Sequence, residues 1–185
     1  MIGYKLFRVT RKHPGKLYPM FVLADQETEM GVWLPAKEGI RLPDGKVKSR
    51  LGPLCFRPGW HLSDLPLATH IGVKEDGKVR YQRPDTVWCE CEYADQKSYQ
   101  EEANQKGTNA AGVLVPRNAY LTHVPTAGFY RYKTSPQMYG DWVIAGSIRV
   151  LRVLSDTEVD AVLISHGLSP MPRYGGPMDL SSYGF

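Results

Sequence analysis

Glycine and proline interrupt this chain too often for long helices, taking 18 and 14 of its 185 positions between short runs of aromatic and β-branched residues. A chain divided in this way folds into short elements joined by turns. Its 42% of hydrophobic residues still suffice to bury a core, and that composition excludes a disordered tail, a coiled coil or a collagen-like fibre. The length suits one domain.

The runs between the breakers carry the period of strands. Residues 4–10 (Tyr-Lys-Leu-Phe-Arg-Val-Thr) read as a first strand, and 17–24 and 30–34 as a further pair. Residues 35–58 form a basic stretch with Lys46, Lys48, Arg50 and Arg57, read as a long loop with at most one weak strand. A short strand over 59–63 then ends at Ser63, a good N-cap for a helix over 64–71 stopped by Gly72. Residues 86–93 (Thr-Val-Trp-Cys-Glu-Cys-Glu-Tyr) alternate as a strand, with Cys89 and Cys91 packing inward and Glu90 and Glu92 facing solvent or a cation. Residues 96–107 are polar and fit a short exposed helix or a loop. Short strands are expected at 120–124 and 129–133, and the strongest β signal spans 141–154 in two runs split at Ala145-Gly146-Ser147.

One helix is marked plainly. Ser155 and Glu158 make a capping box, Val159, Val162 and Leu163 fall on one face, and Gly167 ends it. The pattern predicts an α+β, β-rich mixed domain over 1–168 with a C-terminal helix, followed by an extended or mobile tail over 169–185.

The formal net charge of +4 permits an anionic partner and demands none. Three cysteines, Cys55, Cys89 and Cys91, and a start without the pattern of a signal peptide lead us to expect free thiols and a cytoplasmic setting. No apolar run approaches the ~20 residues that span a bilayer. His61, Asp64 and His70 are close in sequence, but neither they nor Cys89-x-Cys91 have the spacing of a zinc site, so no metal is expected. Gly-x-Ser-x-Gly, Walker and Gly-x-Gly-x-x-Gly patterns are all missing.

Three segments, in chain order, carry a resemblance. Lys5-Leu6-Phe7-Arg8-Val9 is similar to an opening strand whose arginine follows an aromatic residue. Gly59-Trp60-His61-Leu62-Ser63 looks like a glycine–aromatic strand ending in a serine, and Asp141-Trp142-Val143-Ile144 resembles a strand opened by an acid. Together they resemble the skeleton of the arginine–serine–glutamate branch of the ADP-ribosyltransferase superfamily, including small phage or mobile-element members. Asp141 stands where that family places its glutamate.

The resemblance implies a split β-sandwich that binds NAD as its substrate and transfers ADP-ribose to a protein or nucleic-acid acceptor. It assigns the pyrophosphate to Arg8, the ribose or Arg8 itself to Ser63, and the nicotinamide ring to Trp60, His61 or Tyr139. Asp141 becomes the catalytic acid, because cleaving the nicotinamide bond builds positive charge on the ribose that a nearby carboxylate stabilises. Residues 129–140, with Tyr130, Tyr132, Lys133 and Tyr139, would face the acceptor. A rival reading of the same residues is a non-catalytic binding module of a phage or mobile element. It would inhibit a host factor or grip nucleic acid through the basic loop.

Overall fold

Alternating strands become one large sheet in the computed structural model, which describes residues 1–69, 82–173 and 175–185 and the backbone of 73–75 and 78–80. In chain order the strands are β1 (Ile2–Arg8), β2 (Tyr18–Pro19), β3 (Trp33–Pro35), β4 (Trp60–Ser63), β5 (Val73–Glu75), β6 (Lys78–Arg80), β7 (Thr86–Tyr93), β8 (Lys97–Ser98), β9 (Gly128–Tyr132), β10 (Trp142–Ala145) and β11 (Ser147–Val153). Two α-helices, α1 (Gln100–Gly107) and α2 (Asp156–Ser165), lie outside the sheet. None of the described helices is long and apolar enough to cross a membrane. The fold is α+β: the sheet runs β3-β11-β7-β1-β4-β10-β9-β8, with β2 also on β1, and all of its pairs are antiparallel except β8 with β9.

The centre of the sheet is the pairing of β1 with β7, in register from Ile2 opposite Glu92 to Arg8 opposite Thr86. Because successive side chains leave opposite faces, each strand feeds two cores. Phe7, Leu62, Val87, Cys89, Cys91, Tyr93, Ile148 and Val150 meet on one face. On the other, Leu6 and Trp88 meet Val159 and Leu163 of α2. A third cluster joins Ala103 of α1 to Tyr130, Tyr132 and Ile144. Glu90 and Glu92 form ion pairs with Arg152 and Arg149 of β11, which accounts for charge on a central strand.

α2 begins as the sequence indicates. The Ser155 side chain accepts the Glu158 amide, and Glu158 accepts the Ser155 amide in return. The tail over 169–185, expected to be extended or mobile, instead folds back in its described residues 169–173 and 175–185. Met178, Leu180 and Phe185 pack on the core, Tyr183 is buried and donates its hydroxyl to Asp85, and Arg173 lies between Asp156 and Asp160 at 2.9 and 2.6 Å. Their apolar side chains follow no helical or strand period, so the packing was invisible to a periodicity argument.

Several local expectations differ from the structure. Through Thr69 no α-helix follows Ser63. Its hydroxyl donates to the carbonyls of Tyr4 and Leu65 instead of accepting a helix amide, and Leu65, Leu67 and Ala68 sit in the core. His70 and Gly72, the far end of that expected helix, lie outside the described residues. The strands expected at 17–24 and 30–34 shrink to β2 and β3, since Pro19 removes a donor and turns follow it. Residues 120–124 form no strand, although Leu121 is buried.

Candidate functional site

Strand β1 changes partner along one edge. At Tyr4 it pairs with Ser63 of β4, but at Phe7 and Arg8 it pairs with Pro19 and Tyr18 of β2. β4 stays with β10 from Trp60 to Ser63, so it draws away from β1 as β2 moves in. A cleft of about 410 Å³ opens at this fork, within the roughly 300–1,000 Å³ usual for ligand pockets. Its walls come from Tyr4, Lys5 and Leu6 of β1, Trp60 and His61 of β4, Trp88, Tyr132 and Trp142, closed by loops at 19–23, 34–38 and 54–59.

Backbone bonds hold these side chains in place. The Trp60 indole donates to the carbonyl of Leu34 at 2.9 Å, tying β3 to β4. His61 Nε2 lies 2.9 Å from the carbonyl of Arg57. A carbonyl can only accept, so Nε2 carries the proton and Nδ1 keeps a free lone pair. Burial pushes the His61 pKa down to about 4, against the Arg57 carbonyl bond and helped by the Lys5 and Arg57 charges, so the ring is neutral. It meets Tyr132 edge-on at 6.4 Å.

Two cations stand inside the walls. Arg57 lies 4.4 Å over the Tyr132 ring and donates to the carbonyl of Arg117 at 2.8 Å. Half-buried Lys5 donates to the carbonyl of His61 at 2.9 Å and sits 5.3 Å from the Trp60 ring and 5.5 Å from Phe7. Burial pushes its ammonium down to about 8. Lys37, on an exposed loop, donates to Gln26 at 3.2 Å. The carboxylates lining the cleft, Glu27 and Glu38, are both exposed, and Glu27 is bound to Lys16 at 2.6 Å. The cleft therefore offers flat rings for stacking, a neutral acceptor and positive charge, with no carboxylate on its inner wall among the described residues.

Of the residues singled out in the sequence, Trp60 and His61 line this cleft, while Arg8, Ser63, Asp141 and Tyr139 do not. Arg8 donates to the carbonyls of Pro19 and Ala24 and stacks 5.9 Å from Tyr18, so its guanidinium builds the wall formed by the loop after β2. Ser63 is 2% exposed and bonded to backbone. Asp141 donates its amide to Asp64 at 2.9 Å, and its carboxylate lies 3.7 Å from Lys133 and 3.9 Å from Arg131. It directly precedes cleft-lining Trp142 but does not itself line the cleft. Tyr139 is 61% exposed on the loop before it.

Sequence reasoning gave Lys5 and Trp88 no role, and it expected Tyr130 and Tyr132 on a segment facing the acceptor, whereas both are buried in β9 and Tyr132 lines the cleft. One signal was present for Lys5: a charged residue beside Leu6 and Phe7 in the middle of a strand. Arg57 lay within the basic loop already noted, and only the fold distinguishes it from its neighbours there.

Compared with protein-family models, curated proteins and solved structures, the chain matches no family model, no curated protein and no solved structure.

Proposed function

We propose that this protein binds NAD, the ligand implied by the resemblance to ADP-ribosyltransferases, in the cleft between β2 and β4, where Trp60 and His61 but not Arg8, Ser63, Tyr139 or Asp141 would meet it. The observation that carries the reading is the lining itself: tryptophan and tyrosine rings beside the cations Lys5 and Arg57, at a fork in the sheet. A dinucleotide presents two flat rings and a pyrophosphate, and these are the groups that such a lining recognises. His61 Nδ1, free to accept, suits an N–H of a carboxamide or of an exocyclic amine.

Transfer of ADP-ribose to a protein or nucleic acid demands more, namely a carboxylate beside the ribose. Asp141 is the sequence's candidate, but its carboxylate lies by Lys133 and Arg131 and its amide donates to the Asp64 carboxylate, outside the cleft. This placement favours a module that holds NAD without turning it over, which shares with the rival reading only the lack of catalysis.

Both readings meet in one experiment. Trp60, Trp88 and Trp142 line the cleft, so titration with NAD should quench tryptophan fluorescence and saturate. Parallel incubation with labelled NAD and a cell lysate, using wild type and Asp141→Ala, separates the fates of the ligand. Label transferred by wild type and lost in the variant supports the transferase. Saturable binding with NAD left intact supports the binding module. Titration without quenching or any other sign of binding refutes NAD as the ligand.

A further inference from the structure

Lys5 is the inner cation of the cleft with hydrogen-bonding capacity to spare. Its ammonium has three N–H groups, and the described residues supply one acceptor, the carbonyl of His61 at 2.9 Å. Burial is the main influence on its charge, the neighbouring Cys91 and Cys89 are neutral thiols, and it forms no ion pair with a described carboxylate. Each of the other cations is held against a different group. Arg57 is used by the Arg117 carbonyl and the Tyr132 ring, Lys37 by Gln26, and Arg8 by the carbonyls of Pro19 and Ala24.

We propose that Lys5 is the anion anchor of the cleft, donating its two remaining N–H groups to a phosphate or pyrophosphate whose attached ring lies against Trp60. This rests on the reading of the cleft as a nucleotide site, and it moves the phosphate contact from Arg8 to Lys5. A half-buried ammonium without a counter-ion is poorly solvated, and an incoming phosphate supplies both the missing charge and the missing acceptors.

The charge of the anchor depends on pH. Lys5 titrates near 8 and must be protonated to hold the anion, so affinity is full below about 8 and falls as pH rises above it. The groups packed around it do not change charge across that range. His61 is neutral above about 4, Cys91 titrates near 12, and burial raises Cys89 well above its usual value.

Two measurements test the proposal. In the first, acetylation of Lys5 by an N-hydroxysuccinimide ester at pH 8 is followed by peptide mass spectrometry on wild-type protein with inorganic pyrophosphate, NAD or adenosine. Pyrophosphate and NAD should protect Lys5, and adenosine should not. In the second, Lys5→Met should weaken NAD binding about 10- to 100-fold while leaving adenosine binding unchanged, and should abolish the fall in affinity between pH 7 and 10. Pyrophosphate protection without NAD binding keeps the anchor and refutes the dinucleotide reading. NAD binding with Lys5 unprotected and Lys5→Met indifferent refutes the anchor and keeps the dinucleotide. Absence of protection by either ligand together with absence of NAD binding overturns both.

Discussion

Gly59 sets where β4 begins, and replacing it with alanine is a quantitative test of the fork. Its φ is +139°, a conformation that side-chain-bearing residues rarely adopt. A Cβ there would collide with Cγ2 of fully buried Ile144 and approach the Ala145 carbonyl at 3.2 Å and Pro125 at 3.5 Å. Backbone strain contributes roughly 1–3 kcal/mol, and overpacking against Ile144 roughly 1–3 kcal/mol more. Relaxation shares these terms, so Gly59→Ala should destabilise by about 3 kcal/mol, or about 6–12 °C in Tm for a chain of this size. Gly112 is the control: its φ is +76°, and nothing lies within 4 Å of a Cβ. Gly112→Ala should therefore lose about 1 kcal/mol, from strain alone. Urea and thermal unfolding of both variants measure the difference. Equal losses at the two positions would refute the close approach of Gly59 to β10, and with it the described entry into the cleft wall.

Two further outcomes follow from the same geometry. Ser155→Ala removes the acceptor for the Glu158 amide at the start of α2 and should cost about 1 kcal/mol in denaturant unfolding, and an unchanged midpoint would refute the capping box. For His61 the folded pKa of about 4 lies below the usual value, so the unfolded chain binds the proton first as pH falls. Stability from this group is full above pH 6.5 and is lost progressively toward pH 4, by about 2–3 kcal/mol. His61→Gln should flatten that part of the Tm-against-pH profile, and an identical acid limb in the variant would show that the ring is not held neutral.

Local signals carried the sheet, and long-range contacts carried the site. The alternation over 86–93 and the Ser155–Glu158 pair appear in the structure as β7 and α2, because both depend on neighbours in sequence. Ser63 shows where this kind of reasoning ends. A serine before an aspartate and a proline has the composition of a helix start, yet pairing with Tyr4, 59 positions earlier, makes its hydroxyl a donor to strand backbone. Trp60 and His61 were singled out and do line the cleft, but their partners come from Leu34, Arg57, Tyr132 and Lys5. No period or short motif links those positions.

The exchange of roles between Arg8 and Lys5 follows from the fork. Positions 5 and 8 of β1 lie an odd number of residues apart, so their side chains leave opposite faces of the strand. They also lie on either side of the point where β1 changes partner, since Tyr4 pairs with β4 and Arg8 with β2. Up to Leu6 the strand borders the open cleft, whereas Phe7 and Arg8 are covered by β2. A cation placed before the fork faces a cavity, and one placed after it faces carbonyls of the covering loop. Arg8, with its planar fork of donors, is well matched to bridging two such carbonyls. Lys5, a compact charge on a flexible stem, retains donors for a ligand. The same reasoning gives Arg8→Lys a different signature from Lys5→Met: it should loosen the loop over 19–24 and lower Tm, while the pH dependence of anion binding set by Lys5 persists.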